Sequence, residues 1–270
     1  MNPEPAGLPD YAVHHPSAGA GECTVFLLHG AFGAKEYWRN QVQALTQAGW
    51  RVVSWDAPGY GLSALPVPLT IDHCARALAR LLAHEGGRCN VVMGHSMGGM
   101  IAQQAWRHAR ARIHGYVLSA TSAAFGSPDG DWQRNFVRAR VAPLDAGRSI
   151  PDYAPEMLRS MMAPGAGGPA VDLLIATVSQ MREDTFRAAV AAIVGYEGRD
   201  LLPTFDVPVL CVAGAMDTTA PAAVMDKMAA KIAGAEFVNL SDVGHFGWAE
   251  DPSRFNAAVL DFLSRRFSST

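Results

Sequence analysis

The stretch NVVMGHSMGGMIAQQAW, running from Asn90 to Trp106, decides how this chain is read. Asn90 to Met93 is a short apolar run, the pattern of a buried strand. Met97 to His108 carries Met100, Ile101, Gln104, Ala105 and His108 at helical spacing. Between them stands Gly94-His95-Ser96-Met97-Gly98, a G-x-S-x-G pentapeptide. Alone this pattern is weak, because a glycine-rich turn with an incidental serine also satisfies it. A strand running in and a periodic helix running out supply the context of a nucleophile elbow. Such a turn holds the serine hydroxyl clear at the carboxyl edge of a sheet. Gly94 and Gly98 are then required because a Cβ at either place would meet the neighbouring strand or helix. The helix behind the serine aims its positive end at an oxyanion formed there, so Ser96 is the candidate nucleophile.

Outward from the elbow, short apolar runs alternate with helical patterns. Tyr11 to His14 fits an edge strand after a Pro-, Gly- and Ala-rich start over residues 1–21. Thr24 to Leu28, Arg51 to Trp55 and Gly115 to Ser119 read as buried strands. A helix ends near Gly49, and Thr70 is an N-cap for another through His84. The alternation predicts an α/β fold, a mostly parallel central sheet flanked by helices. It breaks at residue 123. From there to residue 200 only helical pieces occur: Trp132–Val141, Pro155–Met162, Val171–Met181 and Asp184–Val194, separated by Pro and Gly. Val207–Ala213 and Glu236–Leu240 resume the strands, with helices at Ala222–Ile232 and Pro252–Phe267. The expected organisation is a core over 1–122, a helical cap over 123–200 and the rest of the core over 201–270.

Composition narrows the class. With 49% hydrophobic and 17% charged residues the chain has ample core for a soluble globular protein. A net charge of -3 gives no sign of a nucleic-acid or anionic-membrane partner. No apolar window reaches the roughly 18 residues of a membrane span. The start is neither basic nor apolar, so a secretory signal is not expected and a cytoplasmic location is. Cys23, Cys74, Cys89 and Cys211 show no C-x-x-C spacing and read as small buried hydrophobes in a reducing compartment. No metal or organic cofactor is implied.

A serine hydroxyl needs an adjacent base, itself oriented by a carboxylate. Asp217 lies just past Val207–Ala213 and His245 just past Leu240, so both loops leave the sheet edge that carries the elbow. A helix entry for Asp217 and a lone loop histidine are the plain alternatives. Asp242, on the histidine's own loop, ranks second as the acid because it is too close along the chain to reach the far imidazole nitrogen comfortably. His95 should be buried beside the elbow. The oxyanion needs two donors: the N–H of Met97, after the nucleophile, and one from His29-Gly30-Ala31-Phe32-Gly33, with Ala31 first and Phe32 second.

These pieces, with Asp56-Ala57-Pro58-Gly59-Tyr60-Gly61-Leu62-Ser63, make the chain resemble the α/β-hydrolase superfamily over residues 23–250. The set is specific for the fold and far less so for the substrate. Members with dehalogenase or epoxide hydrolase activity place an aspartate at the elbow, where this chain has Ser96. Ring-cleavage carbon–carbon hydrolases usually show asparagine before the serine and tryptophan after the histidine, where this chain has His95 and Phe246. The resemblance therefore implies a carboxylesterase, enol-lactonase or perhydrolase type of enzyme acting on a small ester or lactone. A carbon–carbon hydrolase, an acyltransferase and a non-catalytic receptor are the alternatives. Candidate pocket residues are Trp132, Arg134, Arg138, Met161 and Phe246. Trp132, Arg134, Arg138 and Arg140 form an aromatic-plus-basic helix that could bind a substrate carboxylate, as an acidic lactone would need, though three arginines with Asp129 and Asp131 nearby also fit a solvated face. Met97, Met100, Met157, Met161 and Met162 fit an adaptable pocket or ordinary core.

Overall fold

Every apolar run read as a strand forms one. They are β1 (Asp10–His14), β2 (Cys23–Leu28), β3 (Arg51–Asp56), β4 (Cys89–His95), β5 (Gly115–Ser119), β6 (Val209–Gly214) and β7 (Glu236–Leu240). In β2, β3 and β4 every residue but the first is buried. Successive side chains point to opposite faces, so these strands are covered on both. The structure, a computed structural model, describes residues 7–17, 23–126 and 130–267. Parts of the expected N-terminal start, and Asp129, lie outside the described residues.

The strands form one sheet in the order β1-β3-β2-β4-β5-β6-β7. Only β1 is antiparallel, pairing Tyr11 with Trp55 at one edge. The parallel register sets Leu28 beside Gly94, His95 beside Ser119 and Gly214 beside Leu240. All loops that follow these strands therefore leave one sheet edge. Helices α1 (Arg39–Gln47), α2 (Ile71–Glu85) and α3 (Met97–Ala109) connect the first strands. Thr70 caps α2 by accepting the His73 N–H at 3.1 Å. Packing of α2 on α3, and of α1 on the closing helix α10 (Pro252–Phe267), completes the layers, with α8 (Ala222–Ala229) and the short α9 (Gly247–Glu250) before it.

Between β5 and β6 lie four helices, α4 (Asp131–Asp145), α5 (Ile150–Arg159), α6 (Pro169–Ser179) and α7 (Glu183–Val194). Several boundaries differ from expectation, α4 running on through Pro143 to Asp145 among them, and two of the differences follow from proline chemistry. Pro151, which lies between the helices expected at Trp132–Val141 and Pro155–Met162, sits in the first turn of α5, where its missing N–H has no intrahelical partner to lose. The Asp152 carboxylate closes that turn by accepting the Ser149 N–H and hydroxyl at 2.9 and 2.6 Å. Strand β6 begins at Val209 rather than Val207, since Pro208 can offer the ladder only its carbonyl, which accepts the Tyr116 N–H at 3.0 Å. Among the described residues no helix is long and apolar enough to cross a membrane.

Candidate active site

At the end of β4 the chain turns into α3 through Ser96, whose φ of 52° and ψ of -118° lie in a region that L side chains rarely adopt. The strain persists because the surroundings fix the backbone from several sides. The Ser96 N–H donates to the Ser119 carbonyl at 2.9 Å, and the Ser96 carbonyl accepts from Gly99, Met100 and the Thr121 hydroxyl. Gly94 and Gly98 make the turn sterically possible. A Cβ on Gly94 would stand 2.3 Å from the Gly98 carbonyl oxygen, and one on Gly98 would stand 2.3 Å from that of Leu28.

The loops after β6 and β7 bring Asp217 and His245 together. His245 Nδ1 lies 2.8 Å from Asp217 Oδ2, with both side chains essentially buried. The other carboxylate oxygen, Oδ1, accepts the Thr219 and Ala220 N–H groups at 2.7 and 2.9 Å. Burial alone would raise the Asp217 pKa. The adjacent imidazole and the two backbone donors outweigh it, and the carboxyl ends below its ordinary value. Asp242 takes no part in this pairing, and its φ of 58° marks it as a turn residue. His245 Nε2 and Ser96 Oγ have no hydrogen-bond partner among the described residues, and both residues line one cavity.

Backbone N–H groups of Ala31, Phe32 and Met97 are likewise without partners among the described residues. Loop 29–33 is held so that the first of these is aimed. The His29 ring donates from Nδ1 to the Gly30 carbonyl at 2.8 Å while Nε2 accepts the Ala57 N–H at 3.0 Å, which fixes the tautomer. Because a trans peptide sets its C=O and N–H in opposite directions, holding the Gly30 carbonyl turns the Ala31 N–H the other way. The Tyr60 hydroxyl donates to the Ala31 carbonyl at 3.0 Å and fixes the next peptide. Gly30 lies against Ser96, where an added Cβ would come within 3.2 Å of the serine Cβ. Sequence reading treated His29 and Tyr60 only as pieces of motifs; their part in holding this loop rests on tertiary hydrogen bonds.

The cavity shared by Ser96 and His245 has a volume of about 260 Å³. Its walls are largely apolar, with Met100, Phe125, Trp132, Phe136, Ile193 and Val224 among them. Trp132, Phe136 and Phe125 touch one another with ring centroids 5.0 to 5.6 Å apart. Of the expected pocket residues, Trp132 lies in this wall and four do not. Arg134 is exposed and paired with Asp131. Arg138 is exposed and donates to Asn135 Oδ1 at 2.6 Å. Both point from the outer side of α4. Met161 is buried, and its carbonyl accepts the His245 N–H at 2.9 Å. Phe246 is buried against the His95 and His245 rings. Met100 is the one methionine of those considered that reaches the cavity wall, the others packing in or against the core.

The loop carrying His245 is fastened by Glu250. Its Oε2 accepts the Gly244 and Ala163 N–H groups at 2.9 and 2.8 Å, and its Oε1 accepts the Phe246 N–H at 2.8 Å. Beside it the His95 ring packs 4.9 Å from His245, fully buried, with Nε2 unpartnered. Burial, reinforced by the two neighbouring histidines, holds the His95 pKa well below its ordinary value; burial likewise lowers that of His29. Both rings are thus neutral when folded, whereas in the unfolded chain they protonate near pH 6.5. Below that pH the unfolded state binds more protons, so stability falls as pH drops from about 6.5 toward the folded pKa values. Denaturant unfolding should show stability falling as the pH is lowered through about 6.5 toward 5. A flat profile across that window would contradict neutral buried rings.

The sheet order, the strained serine and the Asp217–His245 pair define a hydrolase scaffold, and the chain belongs to the alpha/beta hydrolase family, whose model matches residues 25–258. It is 30% identical to the "Putative carbamate hydrolase RutD" of Variovorax paradoxus, over 94% of this chain and 96% of that protein. It is 24% identical to 3-oxoadipate enol-lactonase 2 of Acinetobacter baylyi, over 95% and 94% of the two chains. Among solved structures it resembles a thermophilic esterase from Thermogutta terrifontis, with a TM-score of 0.81, 27% identity and coverage of 96% and 94%.

Proposed function

We propose that the protein is a serine hydrolase that cleaves a small carboxylic ester or lactone through an acyl-serine intermediate. The observation that carries this reading is the buried His245–Asp217 pair at 2.8 Å, lining the same cavity as a serine on a strained elbow. Ser96 Oγ attacks the acyl carbon while His245 Nε2 takes its proton. Asp217 keeps the imidazole proton on Nδ1 and stabilises the imidazolium. The N–H groups of Ala31 and Met97 hold the oxyanion; a single such donor contributes on the order of 100-fold in rate. His245 then protonates the leaving oxygen, activates water by the same nitrogen, and the acyl-serine is hydrolysed to the acid. Relatives whose names record esterase, enol-lactonase and carbamate hydrolase activity support the reading. Residues 123–200 serve as a cap, since α4 and α7 supply Trp132, Phe136 and Ile193 to the cavity wall.

The test is hydrolysis of p-nitrophenyl esters from acetyl to octanoyl. Specificity should rise and then fall with chain length as the apolar cavity fills, and Trp132→Ala should move the optimum to longer chains. Absence of turnover on every ester and on simple lactones would count against the assignment.

A further inference from the structure

Arg140 is 8% exposed, on the side of α4 that faces the body of the protein, and no carboxylate pairs with it among the described residues. Its Nη1 donates to the Phe136 carbonyl of its own helix at 3.2 Å, and its Nη2 meets the Met161 sulfur at 3.8 Å. Its Nε has no hydrogen-bond partner among the described residues. A thioether is a weak acceptor, so the Nε–Nη2 edge, the fork that matches a carboxylate, is almost unsatisfied. A buried guanidinium without an anionic partner is costly, and an apolar side chain of similar volume is often as stable in such a place or more so. Burial also draws the Arg140 pKa down to about 10, which leaves it charged at neutral pH.

The location of this cation is as telling as its isolation. The guanidinium lies 3.5 Å from the centroid of Phe136, a wall of the Ser96 cavity, and 5.8 Å from that of Phe32 beside the candidate oxyanion donor. Met161, which it touches, accepts the His245 N–H through its carbonyl. Each of these three neighbours thus adjoins the candidate reacting centre. We infer that Arg140 is the anchor for an anionic end of the substrate, so that the enzyme acts on esters or lactones bearing a free carboxylate. The inference rests on the hydrolase reading for its substrate class. The anion site itself does not need turnover to be observed.

Two measurements test it. The first compares mono-p-nitrophenyl glutarate with p-nitrophenyl pentanoate, whose acyl chains are equally long, on the parent, Arg140→Met and Arg140→Lys. The acid-to-neutral ratio of kcat/KM should fall at least roughly tenfold in Arg140→Met and less in Arg140→Lys, because a point charge keeps attraction but not the bidentate fork. An unchanged ratio, whether both rates fall together or neither does, overturns the proposal and makes Arg140 a packing residue. The second measures the melting temperature of Ser96→Ala with added glutarate or neutral glutaramide. Glutarate alone should raise it, and the rise should vanish when Arg140→Met is combined. Equal shifts for both compounds, or none, overturn the anion site. If esters are not cleaved yet glutarate binding depends on Arg140, the site stands and the hydrolase reading falls. Should Arg140→Met fail to fold, Arg140→Lys carries both comparisons.

Discussion

Ser96→Ala is expected to fold like the parent and to lose ester hydrolysis by on the order of 10⁴- to 10⁶-fold in kcat/KM, as removal of a nucleophile does in other serine hydrolases. The fold should survive because the hydroxyl bonds to nothing among the described residues. The contacts that hold the turn belong to the Ser96 backbone: its N–H to Ser119, its carbonyl to Thr121 and the first turn of α3. Alanine keeps the Cβ already accommodated at a φ of 52°. Circular dichroism and melting temperature should therefore match the parent while steady-state turnover disappears. Turnover within tenfold of the parent would show that another group attacks the ester.

Asp217→Asn should cost about 10⁴-fold in kcat, and the hydrogen bonds around it explain why. Oδ1 accepts two backbone N–H groups, from Thr219 and Ala220, so the oxygen of an asparagine amide is drawn to that side. The amide nitrogen is then forced toward His245 Nδ1. A donor facing Nδ1 makes that nitrogen the acceptor and moves the imidazole proton to Nε2, where it can no longer receive the serine proton. Asp242→Asn is the control. If it cripples turnover more than Asp217→Asn does, the acid has been misassigned.

Much of this was legible in the sequence because the relevant physics is local or periodic. Strands buried on both faces read as unbroken apolar runs, and β5 and β7 fall on the expected residues. The elbow is legible because its glycines answer to backbone clashes at fixed offsets. That Ser96, Asp217 and His245 are candidates for one site was legible because parallel strands send their following loops to one edge. The segment between β5 and β6 was legible as helix but not in its detail. Charge drew attention to Arg134, Arg138 and Arg140 alike, whereas the spacing of Trp132, Phe136 and Arg140, four residues apart each time, sets Arg140 apart on the face of α4 that supplies the cavity wall. That periodicity was a usable signal for the buried arginine. The clamps made by His29, Tyr60 and Glu250 had no such signal, since each joins backbone groups to a side chain through the tertiary fold.

Glu250 carries a consequence for how this protein could be re-engineered. Its carboxylate ties Gly244 and Phe246 to Ala163, and the N–H of His245 rests on the Met161 carbonyl. By chain order residues 161–163 belong to the segment proposed as the cap, yet they serve as the shelf on which His245, the proposed general base, sits. Exchanging that whole segment with a relative to change selectivity would also replace the base's own support. A graft that keeps residues 161–163 and exchanges the helices on either side is expected to preserve the proposed reaction while altering what is admitted to it.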